Sequence, residues 1–361
     1  MVAEALPMTG DIAPPPSTPT PVILGLQPAA LIDHVARVDS SLLGQIPGDR
    51  GGSIPVEFQQ LEDIRSKVTS PFKTIAGGSV ANTIRGLSAG FGVSCGIIGA
   101  RGDDVQGKWF VDNMSRNGVN LSKLKCKRGH TAQCVCLVDE LGHRTMRPCL
   151  SSAVKVQADE LTREDIKGSE WLVLRYGIYN LKVIQAAIQI AKQEGVLVSM
   201  DLASFEMVRD SRSLLLQLLE SRDIDLCFAN EDEARELLSG EQGAKGADPE
   251  AAVEFLAKHC KWAVVTLGPN GCIAKHGEKI VRVPAIGDAR AVDATGAGDL
   301  FASGFLYGLV KKLTLEECCK VGVCAGGSVI RSLGGEVTPE NWLWMRKQME
   351  IKGLPVPPIR N

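Results

Sequence analysis

From residue 171 onward the chain alternates short apolar runs with helical patterns, and this alternation constrains its fold more than any other feature. The run 171–177 precedes an amphipathic pattern in Leu181, Ile184, Ala187, Ile188 and Ala191. Strand-like 196–201, helical 214–219 and strand-like 224–230 follow, then a helix from Glu231, a second across 249–259 and strand-like 262–267. Short buried strands separated by helices form right-handed βαβ units and a parallel sheet. After Gly268 the pattern changes: 271–274 and 280–283 read as antiparallel strands, and a helix of small residues follows Asp299.

The first third is mixed. Residues 22–26 read as a first strand, 94–99 as another and 109–117 as a helix, while 131–139 and 145–150 fit β-structure around a turn at 140–143. Residues 37–70 carry charges, glycines and short apolar groups, which suits an irregular excursion or small lid. No break in composition requires two domains. The economical reading is one α/β core, doubly wound around a mostly parallel sheet flanked by helices, with a small β lid drawn from 37–70 and 126–150.

Composition excludes several function classes. Forty basic and 42 acidic side chains leave a net charge of -2, with no basic stripe, so nucleic acid is not an expected partner. The longest apolar runs are strand-sized, so no membrane span is expected. Residues 1–21 read as a disordered Pro-rich tail and 346–361 as a C-terminal tail; the N-terminal tail lacks an apolar signal core, which points to the cytosol. The 11 cysteines include no CxxC pair. Cys134 and Cys136 would share one face of a strand, and we read them as small buried hydrophobes ahead of a disulfide framework or zinc site. The five histidines make no metal-ligand spacing, and His130 and His143 read as turn or surface residues.

The strongest local signal is Asp293-Ala-Thr-Gly-Ala-Gly-Asp299, followed by Leu-Phe-Ala-Ser-Gly-Phe305. Gly296, Ala297 and Gly298 bring backbone N–H groups to the start of a helix, where the dipole favours an anion such as phosphate. A carboxylate at that mouth, Asp299, can take a proton from an attacking alcohol. The plainer alternative is a tight glycine turn with Asp299 as helix N-cap.

This segment resembles the C-terminal signature of the ribokinase/PfkB family of carbohydrate and nucleoside kinases. The N-terminal signature is matched by Gly77-Gly-Ser-Val-Ala-Asn82 and Ile98-Gly-Ala-Arg-Gly-Asp-Asp104, then Gly107 and Gly118-Val119. The resemblance covers about residues 22–345 and implies a ribokinase-like fold with a lid over the acceptor site. It also implies ATP as donor, Mg²⁺, an optional K⁺, and a monomer or homodimer acting on a small molecule. Residue by residue, it implies that Gly77, Gly78 and Asn82 form the acceptor-binding turn and that Asp33, at the end of the first strand, grips sugar hydroxyls. Asn230 and Glu233 match the NxxE element near Mg²⁺, which keeps its water and meets the carboxylate through it. Thr266, Gly268 and Gly271 match a nucleotide-contacting turn. Arg144 is placed near the phosphates, the stretch 325–335 beside the purine, and Asp293 and Thr295 beside the monovalent cation. Asp33 in Ala-Leu-Ile-Asp and the run Arg144-Thr-Met-Arg147 are similar to the adenosine-kinase-like branch, although Thr295 stands where adenosine kinase usually has Asn. The expected acceptor is a nucleoside or related furanoside phosphorylated at a primary hydroxyl, with a free sugar as the alternative. A non-catalytic, metabolite-binding member of the family is the rival from another class.

Overall fold

The chain leaves β1 (Ile23–Ala29), turns at once into β2 (Leu31–Arg37) and returns antiparallel to it through β3 (Lys73–Gly77). It crosses back to β4 (Cys95–Gly102) and β5 (Leu124–Lys127) beside β1, then adds β6 (Ala132–Val138) and β7 (Arg144–Cys149) next to β2. From there β8 (Trp171–Arg175), β9 (Leu197–Asp201), β10 (Leu226–Asn230) and β11 (Trp262–Thr266) extend the first sheet the other way. The hairpin β12 (Cys272–His276) and β13 (Lys279–Val283) closes that edge antiparallel, as its sequence predicts. The structure, a computed structural model, describes residues 20–48, 50–150, 154–239, 248–286 and 291–358. Residues 1–19, the bulk of the predicted N-terminal tail, lie outside them. Among the described residues no helix is long and apolar enough to cross a membrane.

Two sheets result, in the orders β13-β12-β11-β10-β9-β8-β1-β4-β5 and β3-β2-β6-β7. In the larger sheet β1 lies between β8 and β4, so the winding reverses there, and the carboxyl ends of these strands bound a crevice. Apolar strands such as β10 and β11 are buried on both faces by helices. On one face lie the helices Ser79–Phe91, Ala297–Val310 and Leu315–Val329; on the other lie Leu181–Gln193, Arg212–Glu220 and Pro249–Ala257.

The smaller sheet is the lid. Its outer face, with Val135 and Leu137, is sealed by Leu43, Ile46, Leu61 and Ile64. Those residues fall in the stretch 37–70, which holds the helix Phe58–Lys67 with a Glu57–Gln60 capping box as well as irregular chain. The inner face carries Val35, Ile75, Cys134, Cys136 and Val138 against Leu333 of the main body.

Two sequence expectations are corrected here. The first strand ends at Ala29, after a register shift between Gln27 and Ala29, and Asp33 sits inside β2 opposite Cys134 and Ile75. The lid therefore includes β2 and β3, outside both stretches expected to supply it. The second correction concerns the segment after 345: the helix Pro339–Ile351 runs through it, and Met349 and Leu354 are buried in the core. A helix that buries Met345 and Met349 in the core is a packed element, not a tail.

Candidate active site

The crevice is built where the lid meets two helix starts. Gln27 of β1 donates to the Gly77 carbonyl (3.1 Å) and accepts from the Ala81 N–H (2.9 Å), which fixes the turn joining β3 to the helix Ser79–Phe91. Gly77 is required by contact, because a Cβ there would stand 2.2 Å from the Asp33 carboxylate. The turn and Asp33 are thus one packed unit. Asp33 is 1% exposed, and its Oδ1 has no hydrogen-bond partner.

Asp299 faces this unit from the helix Ala297–Val310. Its carboxylate accepts from Ser79 Oγ at 2.5 Å and Asn82 Nδ2 at 2.9 Å. Asn82, expected to reach the acceptor, is buried and turned onto Asp299. Its own Oδ1 accepts from Arg85 Nη2 at 2.7 Å. Arg85 is also buried and donates to the Ala76 and Gly335 carbonyls and to Asn113 Oδ1 at 2.7, 3.0 and 2.9 Å. A chain of hydrogen bonds therefore runs from a buried guanidinium through Asn82 to Asp299.

The alternative of Asp299 as N-cap fails, since Gly296 occupies the cap at φ +79°, a left-handed conformation that suits glycine. The Ala297 N–H bonds back to the Ala294 carbonyl (3.2 Å), so Ala297 differs from its expected role as an anion donor. Helix geometry leaves the N–H groups of Gly298 and Asp299 without intrahelical partners, and Gly298 is exposed. This mouth can receive an anionic oxygen.

Along the carboxyl edge of the main sheet, Arg175, Asp201, Asn230 and Thr266 end four neighbouring strands, with Arg175 opposite Asp201 and Asn230 opposite Thr266. Asp201, Asp299, Ser79 and Thr83 line one cleft with Val173 and Phe228. Asp201 Oδ1 accepts from the Ala203 N–H (2.9 Å) while Arg175 donates to the Ala203 carbonyl (2.7 Å). Together they hold Ala203 at φ +80°, a strained position for a residue with a Cβ. Asn230 caps the helix Glu231–Leu238 in a capping box: its Oδ1 takes the Glu233 N–H, and its two nitrogens donate to the Glu233 carboxylate. Beyond Thr266, Gly268 is exposed and Gly271, at φ +90°, closes the turn onto Leu267.

Comparison with known proteins gives the family. The pattern of the pfkB family carbohydrate kinases matches residues 52–341. The chain belongs to this family. As a PfkB-family protein it is a kinase, a phosphotransferase with a small-molecule acceptor. It is 26% identical over 332 residues to adenosine kinase 2 of Arabidopsis thaliana, covering 84% of this chain and 92% of that protein. The crystal structure of adenosine kinase from Sinorhizobium meliloti superposes with a TM-score of 0.82 at 30% identity, covering 91% of this chain and 99% of that one. That of a probable sugar kinase from Rhizobium etli gives 0.83 at 28%, covering 93% and 99%.

The charges of this PfkB site are crowded. Burial raises Asp33 to about 7, with Arg85 opposing and the Asp299 and Asp293 charges adding to the rise. Burial and the Asp299 charge bring Asp201 to about 6, against the pull of Arg175 and Arg144. Burial and Asp201 bring Glu233 to about 8. Arg144 of the lid and Arg175 of the body thus share one field with Asp201 and Glu233. Carboxylates held apart from their preferred ionisation, beside two guanidiniums and an open helix mouth, fit polyphosphate with a hard cation. Both Glu233 oxygens are already engaged by Asn230, so Glu233 suits contact through water. Asp293 accepts from the Thr295 N–H (2.8 Å) and the Gly334 N–H (2.7 Å), which clamps the turn beneath the helix mouth. The buried Thr295 hydroxyl has no partner, and one orphaned oxygen is a small part of a monovalent-cation cage. His130 and His143 are exposed beside Asp104 and Asp139, as predicted.

Each raised carboxylate has its folded-state value above its unfolded one. The native state therefore holds protons the unfolded chain releases, and the associated stability is present in mild acid and lost as pH rises toward 8. We predict that Asp201→Asn, which keeps an oxygen for the Ala203 N–H, melts above wild type at pH 8. The gap should narrow near pH 5, while kinase activity falls. Thermal melts at the two pH values check this, and equal melting temperatures at pH 8 would contradict it.

Proposed function

We propose that this kinase transfers the γ-phosphoryl group of ATP to a primary hydroxyl of a nucleoside or related furanoside, with Asp299 as general base. The observation that carries this reading is the placement of the Asp299 carboxylate at an open helix mouth, fixed by Ser79 and Asn82, across the crevice from Asp33, whose buried Oδ1 has no hydrogen-bond partner. Asp299 takes the hydroxyl proton as the oxygen attacks. The Gly298 and Asp299 N–H groups, with the turn at Gly296, face oxygens of the transferring group, where preorganised donors act most strongly. Arg144 and Arg175 add positive charge beside the polyphosphate, and Asn230, Thr266, Gly268 and Gly271 bound the nucleotide side. Mg²⁺ bound to ATP supplies charge neutralisation on the donor oxygens, and Glu233 faces its water shell. The lid, carrying Asp33 and Arg144, excludes water that would otherwise replace the alcohol.

Asp33 acts on the acceptor. Its orphaned oxygen needs a partner, and vicinal hydroxyls of a furanose supply two donors. The likeness to two adenosine kinases over most of the chain supports a nucleoside; the Rhizobium etli structure, named a probable sugar kinase, supports the second reading, a free sugar. We predict that Asp33→Ala raises the acceptor KM at least about tenfold, the size expected for a hydrogen bond to a charged group, and leaves the ATP KM nearly unchanged. Deoxy acceptors lacking a gripped hydroxyl should respond far less to the substitution. A change confined to the ATP KM would place Asp33 on the wrong substrate.

A further inference from the structure

Cys134 and Cys136 stand on the inner face of β6, directly across from β2, with both side chains fully buried. Their sulfurs are 3.7 Å apart. One carboxylate oxygen of Asp33 joins them, and the three candidate ligand atoms all lie within 4.8 Å of one another. The thiols bond weakly to one another and to the Val135 carbonyl, and beside them Asp33 Oδ1 is buried without a well-formed hydrogen bond. As ligands they have the right dimensions. Two thiolates at the usual ~2.3 Å from a tetrahedral zinc stand about 3.8 Å apart, close to the spacing found. Positions two apart on a strand present both sulfurs to one side, and Asp33 comes from the neighbouring strand at the same level.

We propose that Asp33, Cys134 and Cys136 form a binding site for a thiophilic divalent cation of the Zn²⁺ or Cd²⁺ type. Two sulfurs and one oxygen select against Mg²⁺, which takes oxygen ligands in an octahedron, and favour a borderline-soft ion with a fourth position for water. On binding, the two thiols become thiolates and release their protons to solvent. The site shares the Asp33 carboxylate assigned above to the acceptor, so metal and acceptor compete for it. That consequence rests on the acceptor reading; the metal site itself does not.

The probe is Cd²⁺ alone, titrated into the full chain without nucleotide and followed by the ultraviolet thiolate-to-metal charge-transfer band. One equivalent is expected to generate a band that Cys134→Ser with Cys136→Ser abolishes. Asp33→Asn should keep the band but weaken binding beyond the roughly 10–100-fold that loss of an outer-shell partner costs. That variant guards against a double serine variant that does not fold, and the thermal melt of each reports folding. No band, or a full band in the folded double variant from cysteines such as exposed Cys126, would overturn the site. Because this readout does not use turnover, it fails separately from the acceptor reading. In the kinase assay Zn²⁺ is then expected to raise the acceptor KM, with the effect lost in the double variant.

Discussion

Asp299→Asn is expected to leave a folded protein that binds ATP while turnover falls by roughly 10²–10⁴-fold, the usual contribution of a positioned base. The amide keeps the size of the carboxylate and one acceptor oxygen. Turned so that its NH₂ donates to the Ser79 hydroxyl, which can accept, the new amide keeps its oxygen for Asn82 Nδ2. Two effects on turnover remain to be told apart, loss of the base and any loss of ATP binding. Single-turnover kinetics with an ATP-binding control separate the two effects. Turnover near wild type in a folded variant would remove Asp299 from the role of base.

Arg85 gives the second large effect. Its guanidinium holds Asn82 in the orientation that serves Asp299 and places positive charge beneath both Asp33 and Asp299. Arg85→Lys keeps the charge but cannot span four acceptors with a planar fork. We expect kcat to fall about 10²-fold, the scale of a misplacement near 1 Å, with the ATP KM little changed. Arg85→Ala leaves Asn82, Ala76, Asn113 and Gly335 facing a cavity. Added guanidinium should restore part of its turnover, whereas methylammonium should not. Selective rescue distinguishes a positioning role from loss of folding, because folding defects do not respond to one planar cation. No rescue in a variant that melts normally would show that Arg85 acts only as a structural residue.

The parts of this fold that are legible in the sequence are those whose environment is uniform. Strands β8 to β11 are buried on both faces and read as unbroken apolar runs, and the βαβ rule then sets their direction. Asp299 is legible because the small residues before it bring the chain close at Gly296. The lid is harder. Pro28 lies at the register shift that ends β1, so Asp33 reads as the end of the strand begun at 22–26, whereas the chain has already passed into β2 of the other sheet. Arg85 lies in a helix where a surface arginine is ordinary. Its burial depends on Gly335, 250 positions away, which no local pattern reports. Gln27 is hidden in the same way, because its partners come from another strand and helix. Asp201 had a usable signal: it ends a predicted strand, at the edge where ligands collect in such sheets.

Acceptor-dependent phosphoryl transfer at the Asp33–Asp299 crevice is open to one direct measurement. The direct test incubates the full chain with Mg²⁺ and ATP and, separately, adenosine, inosine, guanosine, uridine, ribose and fructose, measuring ADP release and identifying each phosphorylated product by mass spectrometry and ³¹P NMR. ADP release is expected to require an acceptor, to be greatest with a nucleoside, and to accompany a phosphate ester on its primary hydroxyl. Transfer to ribose or fructose with no transfer to any nucleoside would contradict the nucleoside assignment. ADP release that no acceptor stimulates, from a folded protein that binds ATP, would contradict the kinase mechanism assigned to Asp299.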